Sequence, residues 1–104
     1  MKQINKGNIM HYRLTRIQHS SESLPKIKSY LDSVSEEIAS IDGLHSVTLI
    51  SVSDTETVGF SLYETEEKMI DAAEKQQKVL GGMAEYFSST PNFENGDVIW
   101  KWSR

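Results

Sequence analysis

The strongest constraint on the fold is the order in which two hydrophobic periodicities alternate along the 104 residues. Alternation with a period of two predicts strands, and apolar residues spaced three or four apart predict amphipathic helices. The two patterns occur in the order strand, helix, strand, and that order then repeats once. The predicted strands cover residues 9–18, 44–52, 57–63 and 97–102, and the predicted helices cover residues 24–41 and 66–87.

The two predicted helices have recognisable ends and apolar stripes. Asp42 and Gly43 end the first helix, because glycine is the usual residue in a left-handed C-cap. Thr65 is the predicted N-cap of the second helix, and Pro91 follows its end. The first stripe consists of Leu24, Ile27, Leu31, Val34, Ile38 and Ile41, and the second of Ile70, Ala73, Gln77, Leu80, Ala84 and Phe87.

The resulting β-α-β-β-α-β order predicts an α+β fold, the ferredoxin-like sandwich. In that fold a four-stranded antiparallel sheet carries both helices on one face. A chain of this length forms one core, so we expect a single domain over residues 9–104. A polar N-terminal arm over residues 1–8 precedes it.

The composition argues against several classes of function. The chain has no cysteine, which removes disulfides, thiolate nucleophiles and thiolate metal sites. Its net charge of −4 argues against a nucleic-acid partner, because phosphates are bound mainly by Lys and Arg. No apolar run approaches the roughly 20 residues of a membrane span, and no signal peptide is visible. We therefore expect a cytoplasmic protein without membrane or nucleic-acid partners.

One face of the predicted sheet requires a cover. We assign the more apolar set of alternating residues to the helix side. That set is Tyr12, Leu14, Val47, Leu49, Val58, Phe60 and Leu62. The opposite face then exposes Ile17, Ile50 and Tyr63 as one patch, which is costly to leave in water. A second subunit covering this patch predicts an isologous homodimer.

Three stretches of the sequence carry a resemblance to a known family. "GLHSVTLI", "VGFSLYET" and "NGDVIWKW" resemble the dimeric α/β-barrel superfamily of antibiotic biosynthesis monooxygenase-like proteins. The resemblance implies two ferredoxin-like sheets packed face to face as a dimeric α/β barrel, with a small-molecule cleft between sheet and helices. Members include cofactor-independent oxygenases, isomerases and haem-degrading enzymes. The haem-degrading members need a histidine on the second helix, whereas this chain has none after His45, so we expect no cofactor.

His11 and Arg13 are the candidate catalytic residues. They lie two positions apart on the first predicted strand and share a face, so the pair can bind and protonate an oxyanionic substrate. The alternative is a structural polar pair in the barrel interior or at the dimer interface. His19 and His45 are predicted to lie on the surface. The acidic run after Thr65 is interpreted as a solvated helix face, so no metal site is expected.

The stretch "GFSLY" allows a comparison with RNA-recognition motifs, which share this order of elements. Those domains stack bases on exposed aromatic residues of two central strands. Here Val58 replaces the basic residue before the glycine, and the first strand offers only Tyr12. We regard this alternative as the weaker one.

Gly81 and Gly82 interrupt the second predicted helix. Each interior glycine costs about 1 kcal/mol relative to alanine, so the pair needs a compensating role. One interpretation is a close approach of the helix to the sheet, or a break between two short helices. The other is an opened ligand pocket lined by Met83, Phe87 and Trp100.

The stretch "VIWKW" near the C-terminus contains both tryptophans. In a strand, Val98, Trp100 and Trp102 share one face while Ile99 points to the other. A strand that is apolar on both sides belongs between two layers. We therefore expect the tryptophans in the core and the dimer interface, with Trp102 as a dimer anchor and Trp100 alternatively in the pocket.

The sequence thus supports two hypotheses about function. The first is a homodimer that binds a small, partly apolar molecule and, as an enzyme, resembles a cofactor-independent monooxygenase or isomerase. In it, His11 or Arg13 stabilises charge on the substrate. The second is a non-catalytic dimerisation or ligand-sensing module, because no catalytic triad or carboxylate pair has useful spacing.

Overall fold

The computed structural model describes residues 9–104. Its strands are β1 (His11–Gln18), β2 (Leu44–Ser53), β3 (Glu56–Tyr63) and β4 (Asn92–Asp97). Its helices are α1 (Leu24–Ser33), α2 (Ser35–Ala39), α3 (Glu66–Asp71) and α4 (Ala73–Gly81). Short 3-10 turns occupy Ser21–Ser23 and Ala84–Tyr86. The predicted α+β, ferredoxin-like fold is confirmed, while the N-terminal arm predicted over residues 1–8 lies outside the described residues.

The four strands form one antiparallel sheet in the order β2-β3-β1-β4. β1 and β3 are central, and β2 and β4 are the edges. The register places His11 between Tyr63 of β3 and Asp97 of β4. It likewise places Arg13 between Ser61 and Asn95.

Each predicted helix consists of two consecutive segments. At the first break, Ser33 Oγ donates a hydrogen bond to Tyr30 O at 2.5 Å, a contact of the kind that bends helices. The predicted left-handed C-cap is confirmed, because Gly43 has φ +79°. A Cβ there would also lie 2.6 Å from the Lys68 side chain. The predicted cap at Thr65 is confirmed as well, since its Oγ1 accepts a 3.1 Å hydrogen bond from Lys68 N.

The helices and the sheet enclose two apolar clusters. One contains Ile17, Ile27 and Met83, and the other contains Ile41, Tyr63, Met69 and Ala72. The stripe predicted for the first helix is confirmed at its buried members, Ile27 and Ile41.

The stripe predicted for the second helix is wrong at its start. Ile70 is 59% exposed, whereas its neighbour Met69 is buried. The buried positions of α3 and the segment after it are Met69, Ala72 and Met83. The predicted stripe began one residue too late, because isoleucine and methionine are adjacent there and both are apolar.

The predicted assignment of the two sheet faces is wrong for β1 and β3. Ile17 and Tyr63 belong to the clusters beneath the helices, and residues paired with them across the sheet share their face. Tyr12 pairs with Leu62 and Leu14 pairs with Phe60, so these four lie on the side away from the helices, here called the outer face. Leu49 packs under the helices as predicted.

The last predicted strand is displaced. β4 ends at Asp97, and beyond it only the hydrogen bond from Val98 N to Met10 O, 2.8 Å long, continues the contact with β1. Residues 98–104, here called the C-terminal arm, contain no strand. The sequence pattern was strand-like, but strand propensity reflects packing against neighbours, and the described residues provide no neighbouring strand for the arm.

Candidate functional site

A polar cluster lies where β1 and β4 meet at one end of the sheet. His11 opens β1 and is 2% exposed. Its Nδ1 lies 2.7 Å from Asp97 Oδ1, and its Nε2 lies 2.9 Å from Asn95 Oδ1. A carboxylate on one ring nitrogen sets the orientation of a histidine and which nitrogen carries the proton. The structure therefore holds His11 in one position between two side chains of β4.

Arg13 lies on the same face, one pair of residues further along β1. Its guanidinium carbon is 5.8 Å from the centre of the Tyr63 ring. Its Nη1 is buried and has no hydrogen-bond partner among residues 9–104. The prediction that His11 and Arg13 share a face is consistent with this register, and that face is the one beneath the helices.

Tyr63 connects the polar cluster to the apolar interior. The side chain is 1% exposed, and its burial raises the pKa of the phenol above its ordinary value of 10.0, an effect that the charge of Arg13 opposes. A neutral phenol is a hydrogen-bond donor and acceptor. At neutral pH, Tyr63 therefore presents an uncharged polar group beside a cation.

A cavity of about 70 Å³ lies between the sheet and helices α1, α2 and α4. Its polar lining comes from Thr15, Ser61, Tyr63 and Gln76. Most of its remaining lining is aliphatic and includes Ile17, Leu31, Ile38, Leu49, Val79 and Leu80. His11 and Arg13 do not line this cavity. The polar cluster adjoins it through Ser61 and Tyr63, which line the cavity and are neighbours of Arg13.

A larger open groove of about 630 Å³ follows the edge strand β2 and helices α1 and α2. Leu24, Leu31 and Leu44 contribute to its apolar part, and Lys28, Asp32 and His45 to its polar part. Its volume is in the range of ordinary small-molecule sites. His45 is exposed, as predicted.

The five residues predicted to line a pocket do not line either of these spaces. Met83 is 3% exposed in the core, and Phe87 packs against the same cluster. Trp100 is 79% exposed in the C-terminal arm. Gly81 has open space where a Cβ would be, whereas a Cβ on Gly82 would collide with the Tyr30 ring. Gly82 therefore serves a close approach of two helices rather than an opening, and Gly81 has no such contact.

The residues predicted for the dimer interface separate into two groups. Ile17 and Tyr63 are 2% and 1% exposed beneath the helices, so that part of the prediction is corrected: neither has surface left for a partner. Ile50 is 43% exposed and pairs with Val58 on the outer face. Trp102 is 65% exposed in the C-terminal arm, where Arg104 lies over its ring.

Two partners of the buried His11, and a second buried histidine, were missed or misplaced by the sequence reasoning. The sequence prediction leaves Asn95, one partner of His11, outside any helix or strand, and it places Asp97, the other partner, at the start of the last strand. Their spacing of two in "NGD" was the available signal, because it places them on one face of a strand. His19 is 1% exposed rather than on the surface. Its Nε2 lies 2.8 Å from Thr57 Oγ1 and its Nδ1 lies 2.8 Å from Ser20 O, which ties together β1 and β3.

Two further tests concern metals and membranes. Within residues 9–104, no group of three or more His, Cys, Asp or Glu side chains is placed to hold a metal ion. In the same part of the chain, no helix is long and apolar enough to cross a bilayer.

The fold is shared with several solved structures. One is a monooxygenase from the ActVA-Orf6 gene of Streptomyces coelicolor in complex with nanaomycin D (TM-score 0.74, 14% identity, 96% of each chain). Another is a dimeric ferredoxin-like protein from an uncultured marine organism (TM-score 0.76, 12% identity, 96% of each chain covered). A third is a protein of unknown function from Nitrosomonas europaea (TM-score 0.75, 12% identity, 94% of this chain and 97% of that one covered).

These identities are low enough that the likeness concerns the fold. No protein-family model matches this sequence, and no curated protein is significantly similar to it. The structural neighbours thus confirm the predicted fold, that of dimeric ferredoxin-like and monooxygenase proteins.

Proposed function

We propose that this chain is a homodimeric α/β-barrel protein, similar to antibiotic biosynthesis monooxygenase-like proteins, that binds a small, partly apolar molecule between helices and sheet. The observation that carries the proposal is a polar cluster around the buried His11, beside an apolar cavity. His11 is held by Asp97 and Asn95, and Arg13 has a buried nitrogen without a partner among residues 9–104. Apolar walls with a few convergent polar groups are typical of ligand sites.

As an enzyme, the protein acts as a cofactor-independent monooxygenase or isomerase. Both reactions begin with loss of a proton from the substrate and charge on an oxygen. Arg13 stabilises that oxyanion, because a guanidinium in a site shielded from water interacts strongly with developing charge. His11 transfers the proton, which requires its Nε2 to exchange the 2.9 Å contact with Asn95 for one with the substrate.

Oxygen uptake tests the catalytic proposal. Metal-free protein is incubated with a panel of quinols and enolisable ketones while oxygen consumption and product spectra are recorded. We expect turnover that Arg13→Gln reduces at least about tenfold, the effect of roughly 1.4 kcal/mol of lost transition-state stabilisation. Arg16→Gln is the matched control, because Arg16 is 46% exposed and lies on the outer face. Absence of both oxygen uptake and isomerisation would remove the enzymatic version.

The homodimer in this proposal is formed through the outer face. Tyr12, Leu14, Phe60 and Leu62 lie there, each only partly buried, and Ile50 extends the patch onto β2. A contiguous apolar face of this kind is costly in water, and a second copy covers it with an identical surface. One structural neighbour is described as a dimeric ferredoxin-like protein, which supports a dimer.

The C-terminal arm is proposed to contribute to the dimer. Ile99, Trp100 and Trp102 are 95%, 79% and 65% exposed, and large aromatic residues of this kind are common anchors of interfaces. Trp102→Ala should weaken the dimer at least about tenfold, measured by sedimentation velocity over a dilution series. Ile70→Ala, at a position 59% exposed on α3, is the control. A protein that stays dimeric but loses ligand binding would place Trp102 in the site instead.

The second candidate is a non-catalytic dimerisation or ligand-sensing module. Two observations favour it: both ring nitrogens of His11 already have partners, and the cavity between sheet and helices, at about 70 Å³, is below the usual range of ligand sites. Ligand binding without turnover of any substrate in the panel would select this candidate. The cytoplasmic location and the absence of cofactor and nucleic-acid partners stay predictions.

A further inference from the structure

We infer that the ligand of the interior site is a small monoanion, a carboxylate or similar oxyanion on a compact apolar body, with Arg13 as its anchor. The inference rests on the proposed function, because it specifies the chemistry of the molecule bound at that site. It also explains why a cation lies on the helix side of the sheet.

Arg13 is a cation without an ion pair among residues 9–104. Its cross-strand neighbours, Ser61 and Asn95, are neutral. The nearest acidic residue on β4, Asp97, is bonded to His11. Among residues 9–104, the Arg13 side chain forms no salt bridge, and its Nη1 is buried and unbonded.

A buried charge is costly unless it is paired and hydrogen-bonded. The planar guanidinium is suited to a carboxylate or another flat oxyanion, because two parallel N–H groups can donate to two oxygens. A single negative charge would balance Arg13. A dianion would carry one charge in excess, which the described cluster does not neutralise.

The cavity limits the size and polarity of the part of the ligand that does not contact Arg13. Its aliphatic lining from β1, β2, α1 and α4 favours an apolar body. Its volume of about 70 Å³ is roughly half of the approximately 150 Å³ cavity that accommodates benzene in another protein. A single ring therefore fits only with displacement of side chains such as Val79 and Leu80 on α4, and a fused multi-ring body is excluded without separation of helices and sheet.

Arg16 provides a matched comparison within the same strand. It lies on the outer face, and its Nε is 3.9 Å from Glu94 Oε2, with both side chains largely exposed. In the single chain, Glu94 is a counter-ion of Arg16 at 3.9 Å. The two arginines thus differ in burial and in counter-ion, while their chemistry is the same.

Benzoate and its neutral isostere benzamide are the probes that test the inference. Both are titrated to roughly 10 mM into the isotopically labelled full chain, since a fragment of this size binds with Kd near 1 mM. Amide and methyl shifts of Thr15, Ser61 and Leu80 report on the cavity, which these residues line. We expect saturable shifts with benzoate and binding of benzamide at least about tenfold weaker.

The variants separate the anchor from general charge effects. Arg13→Gln should weaken benzoate at least about tenfold and abolish the preference over benzamide, while Arg16→Gln should leave both unchanged. Equal binding of the two probes, unchanged affinity in Arg13→Gln, or absence of saturable shifts with benzoate would overturn the inference. Turnover of neutral substrates without benzoate binding would retain the proposed function and reject the monoanion. Benzoate binding without turnover in the panel would retain the monoanion and reject the enzymatic version of the proposed function.

Discussion

On the central strand β1, polar residues lie on the sheet face beneath the helices and apolar residues lie on the outer face. A simple amphipathic sandwich would show the reverse. The face beneath the helices contains His11, Arg13 and Thr15 on its central strand, and two of these are buried. The outer face presents Tyr12 and Leu14 from the same strand, both partly exposed. His11 is tolerated inside because Asp97 and Asn95 are its partners, whereas Arg13 Nη1 has no partner among residues 9–104. The apolar outer face is consistent with a second layer that a single chain does not supply.

The comparison also explains why the faces were assigned wrongly from the sequence. Alternation shows that β1 has two different faces, but it does not show which one meets the helices. Assigning the more apolar face to the helix side is right when the interior contains only hydrophobic residues. That assignment gives the wrong face here, because His11 and Arg13 lie on the helix side.

The largest expected effect lies in the core beneath the helices. Ile27 is completely buried and packs against Ile17 and Met83. Ile27→Ala should lower the free energy of unfolding by about 2–5 kcal/mol, because it removes buried methyl groups and leaves a cavity. Urea denaturation measures the change.

The control for this prediction is the same substitution on the neighbouring helical layer. Ile70 is 59% exposed, so Ile70→Ala should change the free energy of unfolding by no more than about 0.5 kcal/mol. A large loss at Ile70 would show that the helix is rotated, as the original stripe predicted.

The polar cluster should show the next largest effect. Asp97→Ala leaves His11 Nδ1 without its acceptor 2.7 Å away, and an unsatisfied buried group costs about 1–3 kcal/mol. Denaturation gives the loss of stability, and the ¹⁵N shifts of the His11 ring report the change in its hydrogen bonds. Asp54→Ala, in the exposed turn between β2 and β3, should change neither measurement. Unchanged ring shifts in Asp97→Ala would contradict the arrangement.

The glycine pair gives a matched test of helix packing against an open pocket. Gly82→Ala should destabilise the protein by about 1–3 kcal/mol, because its Cβ collides with Tyr30. The Tyr30 hydroxyl cannot simply move aside, since it donates a 2.8 Å hydrogen bond to Val79 O. Gly81→Ala, which meets open space, should be neutral or stabilising by up to about 1 kcal/mol. Equal thermal stability of the two variants would refute the close approach.

The smallest effect concerns alkaline pH and the interior tyrosine. Burial raises the pKa of Tyr63 above 10.0, so the unfolded chain loses this proton before the folded protein does. The associated stability is complete below the ordinary pKa and is lost as pH rises through the raised one. Tyr63→Phe should therefore weaken the fall of stability between about pH 9 and pH 11, followed by urea denaturation. Identical slopes in the wild type and Tyr63→Phe would contradict the burial argument.

The order of elements could be predicted because it depends on local periodicity and on caps such as Thr65 and Gly43, which act within a few residues. The site was predictable only in part. His11 and Arg13 were recognisable as a pair on one strand, but Asn95 and Asp97 reach His11 through a pairing of strands more than eighty residues apart. The position of β4 likewise depends on its pairing with β1. The local pattern of "VIWKW" contains no information about where β1 begins.

Sedimentation equilibrium of the wild-type chain at micromolar concentration tests the central claim most directly, because the claim is that the apolar outer face is covered by a second copy. We predict a dimer, and Phe60→Lys, which places a charge at the centre of that face, should convert it to a folded monomer. A wild-type protein that sediments as a monomer at this concentration would contradict the account, since the outer face would then be stable in water by itself.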